Sequence, residues 1–272
     1  MNGDGSLYAR FAALVRASNP VALVTAMDGP NIGATMLVAP DTEPHGTLGH
    51  PELDRVVARD ALGELEAGRT GVRAYGPTGQ VTPEDLRDEP TIRVFVNSFA
   101  PPPSLWIFGA VDFTAALARA AKLLGYHVLV CDAREVFATR RRFPMADEVL
   151  VTWPGPVFDE RGGALGSRDA VCILTHDPKF DVPAIAGALA TQVGYIGVMG
   201  SRRTHATRLE RLAEAGITDP ADLARLMAPI GLDIGARTPE ETAVSICGEI
   251  IARRTGRGAP SLRDGDGPIH RP

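Results

Sequence analysis

Residues 105–134 constrain the fold of this chain more than any other stretch. They begin with a short apolar run, pass through Gly109 into a helical segment, and return after Gly125 to a second apolar run that ends at Asp132. Strand, turn, helix and strand in that order predict one βαβ unit of a parallel sheet. Asp132 follows Gly109 by 23 residues, close to the spacing at which dinucleotide-binding folds carry the acid that binds a ribose.

The alternation of strands and helices continues after this unit. Apolar runs near residues 149, 171 and 196 alternate with helical stretches, including helices expected over residues 183–191 and 220–226. This pattern predicts a C-terminal α/β domain over residues 105–256 with a doubly wound, Rossmann-like parallel sheet. In such a domain, ligands bind outside the carboxyl ends of the strands. Residues 153–166 carry six Gly or Pro residues and are expected to form a long loop.

The first 98 residues predict a smaller α+β domain. Short strand candidates surround an amphipathic helix that starts at Pro51. Three consecutive prolines, at 101–103, favour a stiff extended linker over residues 99–104, and we place the domain boundary there. Residues 257–272 consist mainly of Gly, Pro and charged residues, a composition typical of a disordered tail.

Composition argues against several classes of function. A net charge of −5 and a pI near 5.7 give no basic field that would attract nucleic acid or an anionic membrane. The first residues lack the pattern of a signal peptide, and no window approaches the roughly 20 apolar residues that span a bilayer. The three cysteines are far apart, and Cys131 and Cys172 lie in apolar strand runs, so we expect inert core thiols. These features favour a cytoplasmic protein.

The turn Gly109-Ala110-Val111-Asp112 is the first candidate site. Dinucleotide binding requires glycine at the position of Val111, because the backbone must approach the pyrophosphate there. Asp112 could cap the following helix and occupy the N–H groups that a phosphate would use. Two interpretations stay open. Gly109 and Asp132 belong to a nucleotide site, or the domain retains only a tight turn.

The segment Thr175-His176-Asp177 is the second candidate site, at the end of the strand near residue 171. A hydroxyl, an imidazole and a carboxylate at one strand end could bind a ligand or transfer a proton. Equally, Asp177 and Pro178 could form a turn with His176 as an ordinary loop residue. We find no serine or cysteine nucleophile motif nearby that would favour hydrolysis.

The segment Gly200-Ser201-Arg202-Arg203 is the third candidate site, and it follows the last predicted strand. Glycine allows close approach of a ligand, serine can cap the next helix, and the helix N-terminus offers free N–H groups. Two guanidinium groups favour phosphate oxygens. This coincidence predicts an anion site, whereas the alternative is a capped helix whose arginines are only solvated.

Several longer blocks of sequence extend beyond these short motifs. They are LTHDPKFD (174–181), YIGVMGSRRTHATRLERL (195–212), PIGLDIGARTPEETAVSICGEIIARR (229–254), RRRFPMADEV (140–149) and the unit at 105–134, with ATMLVAP (34–40) and IRVFVN (92–97) in the N-terminal half. Together they resemble the XdhC/CoxI family, whose members are accessory proteins for molybdenum hydroxylases such as xanthine dehydrogenase and carbon monoxide dehydrogenase. The resemblance covers the C-terminal domain almost completely and the N-terminal domain more loosely.

The resemblance implies a cofactor-handling accessory protein rather than an enzyme. Such a protein binds molybdenum cofactor, a pterin bearing a phosphate or nucleotide, and assists its insertion into a molybdenum hydroxylase subunit. The expected partners are that hydroxylase and, in a homodimer, a second copy of the chain. The candidate cofactor-binding residues are Gly109, Asp132, Thr175, His176, Asp177, Gly200, Ser201, Arg202, Arg203 and, within the block at 229–254, Asp233.

The chain departs from the family pattern at three places. Family members often carry Ser-Gly-Gly-Cys-x-Glu in the N-terminal domain, but residues 46–52 read Gly-Thr-Leu-Gly-His-Pro-Glu, without the cysteine. A second family motif, Cys-Gly-Gly, is replaced by Asp88-Glu89-Pro90, and the family turn Gly-Ala-Gly-His reads Gly-Ala-Val-Asp at 109–112. These differences argue against thiolate ligation of molybdenum and against NAD(P) binding. The alternative function is an NAD(P)-dependent oxidoreductase on a Rossmann domain.

Overall fold

The strands of the described residues form two sheets, one in each of two units. The computed structural model describes residues 4–76, 79 and 92–264, and the units are Met1–Pro101 and Pro102–Pro272. The division falls within the expected linker of residues 99–104. The described part of the expected tail is exposed and includes the short 3₁₀ turn Leu262–Asp264. The departure at Asp88-Glu89-Pro90 and the tail residues 265–272 lie outside the described residues.

The N-terminal unit is an antiparallel sheet with a packed helix. Its elements are α1 (Asp4–Arg16), β1 (Val21–Ala26), β2 (Thr35–Val38), β3 (His45–Gly46), α2 (Pro51–Glu66), β4 (Gly71–Tyr75) and β5 (Ile92–Phe99). The sheet order is β3-β2-β1-β5-β4. Helix α2 buries Leu53, Val57, Ala61 and Leu65 against this sheet, as the helical periodicity predicts.

The C-terminal unit is built on a six-stranded parallel sheet. Its elements are β6 (Ser104–Phe108), α3 (Asp112–Leu123), β7 (His127–Cys131), β8 (Glu148–Leu150), α4 (Pro154–Arg161), β9 (Ala170–Ile173), α5 (Pro178–Leu189), β10 (Tyr195–Val198), α6 (Arg202–Glu214), α7 (Pro220–Leu223), β11 (Leu226–Met227) and α8 (Pro239–Thr255). The sheet order β8-β7-β6-β9-β10-β11 is the 3-2-1-4-5-6 order of a Rossmann fold. The predicted doubly wound α/β domain is therefore confirmed.

Apolar side chains cover both faces of this parallel sheet. Leu105 and Ile107 of β6 belong to a core shared with α3 and α8. The alternate residues Trp106 and Phe108 belong to a second core shared with α4, α5 and α6. Because both faces of the central strands are buried, the strand sequences are unbroken apolar runs rather than alternating apolar and polar residues.

The expected long loop at residues 153–166 is instead largely helical, so this prediction was wrong. Helix α4 spans Pro154–Arg161 and continues into a short 3₁₀ turn, Gly162–Ala164. Pro154 stands at the first helical position, where its missing N–H costs no hydrogen bond. Phe158 drives the packing, because its ring is buried and stacks on Phe108 with 5.1 Å between centroids.

Two further boundaries differ from the prediction. Helix α5 begins at Pro178 rather than at residue 183, because the Asp177 side chain caps it. Residues 220–226 do not form a single helix, since α7 ends at Leu223 and Leu226 enters the edge strand β11. Of the two, the start of α5 bears on the candidate site, because Asp177 is one of the candidate residues.

Candidate functional site

The order of the sheet reverses between β6 and β9, and the backbone after these two strands is tightly packed. Gly109 follows β6 with φ of +115°, a conformation that side chains rarely adopt. A Cβ built on Gly109 would lie 2.4 Å from Cγ2 of Thr175, which is the second residue beyond the end of β9. Glycine is therefore required by the contact between these two strand ends, whatever the turn binds.

The Gly109 turn, residues 109–112, is occupied by side chains of the protein itself. The Ala110 N–H donates to Oδ2 of Asp132 at 2.7 Å, and the Val111 N–H donates to Oγ1 of Thr114 at 3.3 Å. The Arg142 guanidinium donates to the Ala110 carbonyl at 2.9 Å. The first backbone donors that a pyrophosphate would use at this turn are consequently satisfied internally.

The role expected of Asp112 was wrong in its detail. Val111, not Asp112, occupies the N-cap position of α3, and the Asp112 side chain is 91% exposed with one long ion pair, 3.5 Å, to Arg142. Asp112 does not cap the helix, because it already lies within the first helical turn. The carboxylate that occupies a backbone donor at this turn comes from Asp132.

Asp132 is buried and bound on both oxygens. Besides the Ala110 N–H, it accepts hydrogen bonds from the Arg134 backbone at 2.9 Å and from the Arg134 guanidinium at 2.9 and 2.7 Å. Burial alone would raise the pKa of Asp132, but the hydrogen bonds from Arg134 and Ala110 outweigh it and hold the pKa below its usual value. The acid at the ribose position is thus ionised and already paired.

The three residues Thr175, His176 and Asp177 do not converge on one point. Thr175 is buried, and its hydroxyl donates to Oδ1 of Asp181. His176 is exposed, and the Asp177 carboxylate caps α5 by accepting the Lys179 N–H at 3.0 Å. The geometry favours the interpretation of this segment as a helix start, with only Thr175 directed into the protein.

A buried ion pair lies behind the ends of β9 and β10. Nη2 of Arg208 is 3.4 Å from Oδ2 of Asp181 and donates to the Met199 carbonyl at 2.8 Å. Burial raises the pKa of Asp181, and the hydrogen bond from Thr175 and the nearby Arg208 only partly offset this. Nη1 of Arg208 is buried without a hydrogen-bond partner among the described residues. Sequence reasoning missed this pair.

The Gly200 turn, residues 200–203, leads from β10 into α6. Gly200 has φ of +142°, and Ser201 is the N-cap of α6, since its Oγ accepts the Thr204 N–H at 3.1 Å. The predicted serine cap is confirmed. Arg202 and Arg203 occupy the first helical positions, where their N–H groups have no intrahelical acceptor, and both side chains are exposed. In the described part of the chain neither guanidinium pairs with an acid.

The two turns therefore differ in whether their backbone N–H groups are free to bind an anion. At the Gly109 turn, protein side chains satisfy the backbone donors, whereas the donors of the Gly200 turn and its two arginines are open. Asp233 belongs to neither turn. It is exposed in the loop after β11, and no hydrogen bond joins it to the other candidate residues in the ranges that the structure describes. That loop is held to α8 through the Ser245 hydroxyl, which donates to the Leu232 carbonyl at 2.6 Å.

No described group of side chains is arranged to hold a metal. Residues 4–76, 79 and 92–264 contain no cluster of three or more His, Cys, Asp or Glu side chains with ligand geometry. All three cysteines are buried, and burial raises the pKa of the Cys131 thiol to about 12 and that of Cys247 to about 11. His50, in the stretch that lacks the family cysteine, accepts the Glu52 N–H at 3.3 Å and caps α2.

Among the described helices, none is long and apolar enough to cross a membrane.

Comparison with known families gives two matches that together cover most of the chain. Residues 105–250 match the family model described as the XdhC Rossmann domain. Residues 14–76 match the model described as the XdhC and CoxI family. A crystal structure of a protein described as a xanthine dehydrogenase from Bacillus halodurans has the same fold, with a TM-score of 0.52 and 20% identity over 93% of this chain and 97% of the other.

Curated relatives are similar over a substantial part of the chain. One of them, described as a probable subunit of xanthine dehydrogenase in Bacillus subtilis, is 34% identical over 60% of this chain and 47% of its own length. The molybdenum cofactor insertion chaperone PaoD of Escherichia coli is 26% identical over 71% of this chain and 54% of its own length. This chain spans about half the length of the curated relatives that it matches.

Proposed function

This chain belongs to the XdhC and CoxI family, and from that membership we propose that it is an accessory protein for a molybdenum hydroxylase. In this role it binds molybdenum cofactor and assists its insertion into the partner enzyme. The names of two relatives, a molybdenum cofactor insertion chaperone and a probable xanthine dehydrogenase subunit, support the proposal. The partner is a molybdenum hydroxylase of the xanthine or carbon monoxide dehydrogenase type.

One observation carries the choice of binding site, namely the open Gly200 turn at the carboxyl edge of the parallel sheet. Ligands of doubly wound folds bind at this edge. Helix α6 presents the free N–H groups of Arg202 and Arg203 there, together with their two guanidinium groups. These donors suit the phosphate of the cofactor, since charge-assisted hydrogen bonds to phosphate are about twice as strong as neutral ones.

The thiols of the chain argue for holding the cofactor by its phosphate and not by its metal. Ligation through sulfur requires a thiolate, but the thiols are buried and protonated. The cofactor would supply the redox chemistry only after transfer to the hydroxylase, so the chain needs to bind and release it. This agrees with a role as a carrier without catalytic residues of its own.

The proposal predicts that the exposed arginines contribute to affinity without stabilising the fold. Arg202→Ala and Arg203→Ala should each weaken binding of molybdopterin about tenfold, or about 1.4 kcal/mol, because each removes one solvent-exposed charge-assisted contact. Affinity is measured by fluorescence titration of the pterin, and thermal unfolding monitors the fold. Arg211→Ala is the matched control, since Arg211 is an exposed arginine near the other end of α6.

Activation of the client enzyme provides the second readout of the same variants. The double variant R202A/R203A should transfer less molybdenum to the apo-hydroxylase than R211A does, and mass spectrometry should find less pterin in the purified protein. If the double variant keeps full affinity and full activation, the arginines belong to a solvated helix face and the binding site lies elsewhere.

A further inference from the structure

The guanidinium of Arg208 has a hydrogen-bonding capacity that the protein does not use. The residue is 4% exposed, and its Nη2 is held by the Met199 carbonyl and by Asp181. Its Nη1 is buried and has no acceptor among the described residues. Buried donors are nearly always satisfied, because an unpaired one retains its full desolvation cost. An unpaired Nη1 on a buried cation therefore indicates a missing acceptor.

The contacts of the other terminal nitrogen, Nη2, place the Arg208 guanidinium beside the Gly200 turn. Met199, which accepts from Nη2, is the residue immediately before the Gly200 turn. A Cβ built on Gly200 would lie 3.5 Å from Nη2 of Arg208 and 3.3 Å from the side chain of Thr204. The guanidinium thus lies directly against the turn whose helix donors are open, on its inner side. Nδ1 of His205, on the same helix, is a second buried nitrogen without a partner among the described residues.

The charge around Arg208 is only partly balanced. Asp181 is its ion-pair partner, but the separation of 3.4 Å is long, and the other oxygen of Asp181 accepts the Thr175 hydroxyl. A phosphate oxygen next to Nη1 would give this nitrogen the charge-assisted hydrogen bond that it lacks. The exposed pair Arg202 and Arg203 would then contact the outer oxygens of the same group.

We propose that Arg208 is the inner binding residue of the Gly200 turn, and that its Nη1 donates to a phosphate oxygen of the ligand. This inference rests on the proposed function for its ligand class, a phosphate monoester or diester. In this arrangement the phosphate is held between exposed cations and one buried cation. Gly200 is required because side chains rarely adopt its φ of +142°, and a Cβ there would also be tight against the side chain of Thr204, at 3.3 Å.

Binding of inorganic phosphate to the purified full-length protein tests this inference. Arg208→Gln removes the cation but keeps a planar polar group, and it should weaken phosphate binding about tenfold in a calorimetric or NMR titration. Arg211→Gln makes the same change at an exposed arginine of the same helix and should leave affinity unchanged. Asp181→Asn removes the competing carboxylate and should tighten binding a few-fold.

The double variant D181N/R208Q guards against loss of folding, because it removes both buried charges together. It should keep cooperative thermal unfolding and still bind phosphate about tenfold more weakly than D181N. If R208Q and the double variant both bind phosphate like their parents, the inference is overturned. If R208Q weakens phosphate binding as expected, its molybdenum and pterin content after purification identifies the natural source of the phosphate, which is the cofactor if the content falls and another phosphorylated molecule if it does not.

The failure of this inference is distinguishable from failure of the proposed function. If R202A/R203A loses phosphate binding and R208Q keeps it, the outer site stands and the inner role of Arg208 is overturned. If R208Q loses phosphate binding and R202A/R203A keeps it, the inner donor is upheld and the assignment of the exposed arginines is overturned.

Discussion

Asp132 keeps the sequence position of a ribose-binding acid but binds residues of its own chain. Its carboxylate joins the Gly109 turn, through the Ala110 N–H, to Arg134. A free carboxylate would accept sugar hydroxyls, whereas this one has both oxygens engaged. Asp132 therefore links two parts of its own chain, and this role is recognisable only from its hydrogen-bond partners.

Gly109 provides a test of the packing between the ends of β6 and β9. Gly109→Ala should lower the free energy of unfolding by about 3 kcal/mol, because it combines a positive φ with a contact to Thr175 that no Cβ tolerates. Gly125→Ala is the matched control, since Gly125 also has positive φ but open space around it, and should cost about 1 kcal/mol. Urea unfolding of both variants measures the difference. Equal losses would show that the packing between the strand ends is loose.

Sequence reasoning succeeded for residues whose signal is local and failed where it is tertiary. The Ser201 cap was predictable because a serine before a helical run commonly serves as an N-cap. Arg208 was missed as one arginine among several in α6. Its signal was its spacing, four residues before buried Leu212, which places both on the inner face of the helix.

Among the elements, helices α3 and α6, which follow β6 and β10, have opposite roles. Helix α3 begins against Asp132, Thr114 and Arg142, whereas α6 begins with its first N–H groups free. Their sequences suggested this contrast only in part, since Val111 and Asp112 indicated a damaged nucleotide turn but not the residues that fill it. The prediction of a loop over residues 153–166 failed for the same reason. Helix α4 is stabilised by the burial of Phe158, a tertiary contact that the Gly and Pro content of the segment does not reveal.

The filled Gly109 turn predicts very weak binding of nicotinamide cofactors. NAD(H) and NADP(H) should bind with dissociation constants no better than millimolar, because a pyrophosphate would have to displace the Asp132 carboxylate and the Thr114 hydroxyl from the backbone donors. Calorimetric titration measures this, with a dehydrogenase of known affinity as the positive control. A micromolar constant would contradict the prediction and restore the oxidoreductase alternative.

At the scale of the whole molecule, the chain contains two sheets with separate cores. Among the described residues, the two cores of the parallel sheet draw on residues from 105 onward, and the core of the antiparallel sheet draws on residues up to 96. The parallel sheet was predictable because its buried strands are unbroken apolar runs. The order of its strands was not predictable, because the sequence of one strand does not indicate which distant strand pairs with it.

The separation of cores predicts that residues 102–272 fold alone. This fragment should unfold in one cooperative transition, with a midpoint close to that of the matching transition in the full chain, because its buried side chains contact each other. Urea unfolding followed by circular dichroism measures both proteins. Residues 1–101 expressed alone provide the complementary fragment. A gradual, non-cooperative transition in the 102–272 fragment would show that its core is completed by residues outside it.

The three cysteines provide a way to measure how often the C-terminal unit opens. All of them lie in that unit, in β7, β9 and α8, and all are buried. Alkylating reagents attack thiolates, so the closed protein is protected twice, by exclusion of the reagent and by the scarcity of the reactive form. The rate of alkylation therefore reports how often this unit opens. The protein needs no introduced label, and the measurement can be made in a crude lysate. A bound phosphate ligand would slow that rate in proportion to its occupancy, so binding becomes measurable in the cell extract.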